Sequence, residues 1–385
     1  MRTVGIVAEY DPFHRGHAYQ LAEAKRRSGA DAAVVVMSTV FTQRGDPALL
    51  SPRLRAEAAL RGGADLVAAL PVLWAMRPAE QFAEAGVRLL RSLGVDALSF
   101  GAETDDLPLL AEVAALTEDT RLQPLLRERM AAGLPYPRAL SEAAESLLPG
   151  AGALLALPNN TLAVCYLRAL RRLGGGMEVF PVRREGGYHD TAPSAAGYAS
   201  ATAVRAAILN GCWSAVREAV PDDTPIRRAA AAGALHRPDA LDPALIARLR
   251  TMTPEELAAL PDRSEGIERR LPEAARQTTT REALLAVCKT RRYPYARLSR
   301  LASAALLGIT DADCALPPPD RALLLGFRRD AEALPGQLGR CFPLQAPRPR
   351  PDCRWLLLES RAWDLWALGA GLPSGLLYGE HVVTV

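Results

Sequence analysis

"TVGIVAEYDPFHRGHAYQLAEAKRRSGADAAVVVM", residues 3–37, holds three elements in succession. Residues 2–8 form a short apolar run, and 32–37 (AAVVVM) form another. Between them, residues 17–28 carry apolar side chains near i, i+3 and i+4. Short apolar runs bounded by turn residues read as buried strands, and a 3.6-residue spacing reads as an amphipathic helix. The alternation continues outward, with DLVAAL (65–70) and VDALSFG (95–101) as further strands and helical patterns over 51–62 and 78–92. Four such repeats predict an α/β fold: a Rossmann-like parallel sheet with helices on both faces.

Beyond residue 105 the chain is mostly helical to about 175, with one more strand at MEVFPV (177–182) and a helix at SATAVRAAIL (200–209) opened by a Ser200 cap. Residues 211–310 read as helices joined by proline-bearing loops. RALLLGF (321–327) reads as a strand, and LQAPRPRPDC (344–353) as a loop. The expected organisation is an α/β domain over 1–210, followed by a mainly helical domain over 211–385 with a small C-terminal subdomain.

At 385 residues the chain exceeds one ordinary core. Nearly half is apolar and the mean hydropathy is +0.01, as in soluble proteins. No apolar run reaches the length of a membrane span, and the opening MRTVGIVAEY is too short for a signal peptide, so a cytoplasmic location is expected. Six cysteines without a CxxC pair read as reduced thiols, not as a disulfide frame or a zinc site. A net charge of +3 does not by itself mark a nucleic-acid protein, so the placement of basic residues matters more.

Two of only five histidines fall in His14-Arg15-Gly16-His17, at the mouth of the first predicted helix. A helix N-terminus offers unpaired N–H groups and the positive end of a dipole, which suit phosphate. Gly16 permits close backbone approach. Two imidazoles there can donate to phosphate oxygens and to charge developing in a transition state.

HRGH resembles the HxGH motif of the nucleotidylyltransferase superfamily. The blocks GIVAEYDPFHRGH (5–17), VVMSTVFTQRGDPALLS (35–51), LPNN (157–160), RREGGYHD (183–190), SATAVR (200–205), EGIERRL (265–271) and KTRRYPYARLSRL (289–301) are, in this order, similar to the tRNA(Met) cytidine acetate ligase family. The resemblance spans most of the first 310 residues. It implies two steps: acetate attacks the α-phosphate of ATP to give acetyl-adenylate, then the N4 amine of the wobble cytidine of elongator tRNA(Met) takes the acetyl group. ATP, with Mg2+ accompanying it, and tRNA and acetate are the implied partners; no membrane or protein partner is evident.

The resemblance assigns His14 and His17 as the catalytic pair. It assigns Val7, Ala8, Glu9, Tyr10, Pro12, Phe13, Gly16, Gly101, Asn159, Asn160, Arg183, Arg184, Ser200, Thr202 and Arg205 to ATP. Gly101 is expected against the adenosine, and Ser200, Thr202 and Arg205 as the second phosphate motif. Asn159 and Asn160 either cap a helix or hold nucleotide, and Glu9 and Asp11 flank the end of the first strand. Ser38, Gln43 and Arg44 belong to a loop expected to position acetate or tRNA. Within that loop Thr39-Val40 stand where the family carries a glycine and a small polar residue, which bears on the acyl substrate and on activity itself. His189 beside Asp190 is either a base or an orienting pair, or an ordinary loop histidine.

Lys289, Arg291, Arg292, Tyr293, Tyr295, Arg297 and Arg300 interleave basic and aromatic groups, the combination that binds phosphates and stacks unpaired bases. Arg269, Arg270, Arg276 and Arg281 add charge nearby, diluted by Glu268 and Glu273. Two other readings stay open: a small-molecule nucleotidylyltransferase, and an RNA-binding homologue that has lost turnover. An aminoacyl-tRNA synthetase is disfavoured, because no KMSKS-like segment is present.

Overall fold

The computed structural model describes residues 1–184, 198–263, 266–290, 293–346, 352–379 and 381–385. The expected strands form as β1 (Thr3–Ala8), β2 (Ala32–Ser38), β3 (Leu66–Leu70), β4 (Ala97–Ala102) and β5 (Glu178–Arg183). They are joined in parallel in the order β5-β4-β1-β2-β3. β2 is buried along its whole length, the environment a sheet covered on both faces creates. Its residues divide between two cores: Ala33, Val35 and Met37 face one, and Ala32, Val34 and Val36 face the other.

The chain runs outward from β1 through β2 to β3, then returns to place β4 and β5 on the other side of β1. This reversal leaves a crevice beyond the carboxyl ends of β1 and β4, where open α/β sheets bind ligands. Helix Arg15–Ser28 begins at that crevice and ends on Gly29, whose φ of 63° supplies the left-handed cap.

The sheet does not stop at β3. β6 (Ala322–Phe327), read as part of a separate C-terminal subdomain, pairs antiparallel with β3 through Leu66↔Phe327 and Val67↔Gly326. β7 (Leu344–Gln345) and β8 (Val383–Thr384) then pair with β6. The sheet is therefore mixed and eight-stranded. An apolar β3 with an open edge would be a template for unwanted pairing, and β6 covers it. β7 also takes the first two residues of the proline-rich stretch read as a loop; 347–351 lie outside the described residues.

Beyond residue 210 the chain is helical as far as Cys314, but its core is not separate. One continuous cluster joins Val35 and Met37 of β2 to Leu245, Leu284 and Leu301 of the helical region and to Trp363 and Trp366 of helix Arg354–Gly369. Among the described residues no helix is long and apolar enough to cross a membrane.

Candidate active site

The chain leaves β1 through Glu9 and Tyr10. Tyr10 has φ of 50°, and the Asp11–Pro12 bond is cis. This turn buries Tyr10 and Phe13, packed edge to face at 4.9 Å, and sets His14 as the cap of helix Arg15–Ser28. Val7 packs toward Gly86 on the far side of β1. Val7, Ala8, Tyr10, Pro12 and Phe13 thus shape the approach to the histidines through backbone and packing; their side chains do not line the crevice.

The two imidazoles cap the helix reciprocally. Gly16 N–H donates to His14 Nδ1 at 3.1 Å, and His14 N–H donates to His17 Nδ1 at 3.3 Å. The rings stack 3.7 Å apart. With both Nδ1 atoms accepting, each ring carries its proton on Nε2. Burial, then the Arg184 guanidinium, push the His14 pKa down to about 3. Burial, then His14 and Arg184, push His17 down as well. Two neutral rings therefore present Nε2–H donors without the cost of burying two positive charges.

The crevice they open into measures about 510 Å3, open solvent included. Of the residues assigned from sequence, His14, Gly16, His17, Gly101, Arg183, Arg184 and Ser200 line it. Arg183 is paired in register with Ala102, and Arg184 N–H donates to Ala102 O at 2.8 Å, so both arginines issue from the β4–β5 end. Gly101 leaves room for Arg184: a Cβ there would lie 3.2 Å from Arg184 Cγ. Ser200 caps helix Ala201–Leu209 through Ala203 N–H, so a second helix N-terminus faces the same space. Two helix dipoles and two guanidiniums make this an anion site.

Other assigned residues support the crevice from outside it. Both carboxylate oxygens of Glu103 bind the start of helix Pro158–Arg172: Oε1 accepts from Asn159 Nδ2 at 2.7 Å and Oε2 from Asn160 N–H at 2.7 Å. Asn160 Oδ1 answers by accepting from Glu103 N–H at 2.9 Å, so Asn160 is a strut between β4 and the helix. Asn159 Oδ1 lies 3.5 Å from Arg184 Nη1. Arg205 is engaged at Asp11, whose carbonyl accepts from Nη1, and it also donates to Thr202 Oγ1. Ser38 is fully buried and contributes its carbonyl to Arg55 at 3.1 Å. Gln43 bridges two loops: its N–H donates to Glu9 Oε1 at 2.5 Å and its Nε2 to Arg77 O at 2.7 Å. Arg44 is exposed, while burial raises the Glu9 pKa.

Sequence reasoning passed over Tyr19, Gln20, Val182, Tyr198 and Ala199, which complete the lining. Tyr19 and Gln20 follow His17 on the first two turns of its helix, and that spacing was the available signal. Arg55 was missed too. It is fully buried and donates to the carbonyls of Leu50, Ser38, Thr39 and Glu9, so one guanidinium gathers the carboxyl ends of β1 and β2.

The basic strip is not an open stripe. Tyr293 is buried, and Arg297 lies over its ring at 4.9 Å. Arg297 donates to Asp262 O at 2.7 Å, and Arg300 lies 3.4 Å from the Asp262 carboxylate. Lys289 and Tyr295 are exposed. Arg291, Arg292, His189 and Asp190 lie outside the described residues.

A Rossmann-like sheet with a histidine-capped helix at its switch point defines a HIGH-type nucleotidyltransferase, and the HIGH Nucleotidyl Transferase family model matches residues 1–337. A tRNA(Met) cytidine acetate ligase of Bacillus licheniformis is 38% identical over 81% of this chain and 78% of its own length. One from Lactiplantibacillus plantarum is 35% identical over 89% of this chain and 88% of its own. The crystal structure of Thermotoga maritima TmcAL bound with α-thio ATP superposes with a TM-score of 0.88 at 25% identity, over 100% of this chain and 99% of that one. The chain belongs to the tRNA(Met) cytidine acetate ligase family.

Proposed function

We propose that this ligase binds ATP in the crevice between β1 and β4, activates acetate as acetyl-adenylate, and transfers the acetyl group to N4 of the wobble cytidine of elongator tRNA(Met). The observation that carries the reading is the reciprocal cap: both Nδ1 atoms are committed to backbone, so both Nε2–H groups are available to a phosphate at a helix N-terminus. The crevice fits a nucleotide in the sign of its charge and in the backbone approach at Gly16.

An acetate oxygen attacks the α-phosphorus and pyrophosphate leaves. On this reading the histidine Nε2–H groups and Arg184 meet the charge that accumulates on the phosphoryl oxygens, and their fixed positions need no reorganisation during the step. The cytidine N4 then attacks the acetyl carbonyl, the acyl–phosphate bond breaks, AMP departs and N4 loses a proton. Mg2+ is expected to arrive with the triphosphate. The cytoplasm supplies the nucleotide and tRNA this reaction needs.

The test is labelled acetate, ATP, Mg2+ and a tRNA pool with the purified protein, and acetyl-CoA replacing acetate and ATP in a parallel tube. Label on tRNA(Met) with acetate and ATP is expected. Label only with acetyl-CoA, or acetate-dependent pyrophosphate release without label on RNA, would overturn the assignment.

A further inference from the structure

A second cavity, about 330 Å3 with open solvent included, lies where the sheet region meets the helical region. The segment after β3 supplies Leu73, Met76, Arg77 and Pro78; the helical side supplies Pro261, Asp262, Arg300 and Leu301, among others. Its floor is apolar and its charge is concentrated in Arg77, Arg300 and Asp262. Arg297 also binds Asp262, so two arginines pair with this one carboxylate. Asp262 holds φ of 53°, which turns both its carbonyl and its carboxylate toward Arg297 and Arg300. Arg300 has a side chain only 13% exposed, and its Nε–H is buried without a hydrogen-bond partner among the described residues. Arg77 makes no side-chain hydrogen bond or ion pair among the described residues, although its carbonyl is held by Gln43.

A buried unpaired donor and an unengaged guanidinium beside it call for an anion. Acetate is the wrong one: it must reach the α-phosphate beside His14, and this cavity shares no lining residue with the histidine crevice. A polymer with a phosphate at every residue can occupy both places at once. Gln43 links them, with its backbone on Glu9 and its side chain on the Arg77 carbonyl.

We propose that this cavity is a phosphate subsite for the single-stranded RNA loop that carries the target base, with Arg77 and Arg300 gripping one backbone phosphate. The proposal rests on the function above and adds the place where the RNA is held. Because the Arg77 side chain has no hydrogen-bond or ion-pair partner among the described residues, Arg77→Ala and Arg77→Glu are the clean variants.

The experiment measures binding of an elongator tRNA(Met) transcript across a salt series, and acetate-dependent ATP–pyrophosphate exchange without RNA. Arg77→Ala is expected to weaken RNA binding about tenfold, as for one lost charge-assisted contact. It is also expected to flatten the slope of log K against log salt by about 0.7, the single-strand value per phosphate. Arg77→Glu should weaken binding further, and exchange should stay within twofold in both. Unchanged affinity and slope in both variants would overturn the subsite, as would a raised KM for acetate in the exchange assay. Failure of wild type to bind tRNA overturns it too, and the exchange assay then reports separately whether the activation half of the proposed function stands.

Discussion

Replacing His14 by asparagine separates the two jobs this residue holds. Its Nδ1 caps helix Arg15–Ser28 by accepting from Gly16 N–H, and in the proposed function its Nε2–H meets the nucleotide. Asparagine is among the best caps and offers Oδ1 in the Nδ1 role, but it has no group at the Nε2 position. Alanine loses both. Each variant also loses the ring stacked 3.7 Å from His17, so that loss cancels between them. The remaining stability difference is the cap, about 1 kcal/mol in favour of asparagine. Removing one preorganised donor to a developing oxyanion costs about 10²–10³ in rate, or roughly 3–4 kcal/mol of transition-state binding. Urea unfolding and acetate-dependent ATP–pyrophosphate exchange, on the same preparations, read the two quantities. The expected result is a His14→Asn protein more stable than His14→Ala by about 1 kcal/mol and as slow as it. Exchange within threefold of wild type in His14→Asn would refute the reasoning, because His14 would then be only a cap.

Gly101→Val places a Cβ 3.2 Å from Arg184 Cγ and displaces that guanidinium; the KM for ATP should rise about tenfold, and an unchanged KM would remove Arg184 from the nucleotide site. Arg55→Lys leaves several of the carbonyls of Leu50, Ser38, Thr39 and Glu9 without a donor; urea unfolding should show a loss of about 3–5 kcal/mol, and a loss below about 1 kcal/mol would refute the role of Arg55 as the tie between β1 and β2. Acid should weaken the fold through His14, whose pKa falls from 6.5 to about 3 on folding. Between those values the unfolded chain binds more protons, so the contribution is complete above pH 6.5 and is lost as pH falls toward 3. At pH 5 the loss is about 2 kcal/mol; His14→Asn should show that much less destabilisation between pH 7.5 and pH 5, and an equal loss in both proteins would refute the assignment.

The α/β architecture was readable because each of its strands is a local apolar run and each helix between them has its own period. The edge strand was readable as a strand but not as a partner of β3, because pairing across more than 250 residues leaves no local trace. The histidine site was legible for a related reason: a cap, a glycine and two imidazoles lie within four consecutive residues. Crevice residues recruited singly from distant segments, such as Tyr198 and Val182, carry no such signal. The basic strip shows how little composition says about orientation. Its composition is that of an RNA-binding surface, yet Tyr293 is core, and Arg297 and Arg300 turn inward to Asp262. Composition gives residue types; which way a helix faces depends on what packs against it.

Thr39-Val40 shows the same limit and removes an apparent obstacle to function. In sequence the pair adds bulk to a loop expected to handle acetate. In the fold both residues are fully buried, and neither side chain lines the crevice. The Thr39 carbonyl binds Arg55, and its side chain lies beside the Glu359 carboxyl of helix Arg354–Gly369. Glu359 is itself fully buried, with its pKa raised by burial, and accepts from Val72 N–H at 2.6 Å and Trp363 Nε1 at 2.8 Å. A buried carboxyl left without these donors would be costly. The β-branched pair therefore belongs to the packing between the sheet and the C-terminal helix. That helix also binds the loop after β2 directly, through Trp366 Nε1 to Ala48 O at 2.6 Å. The C-terminal helix thus covers the far side of the loop whose near side faces Glu9, and so fixes that loop relative to the histidines.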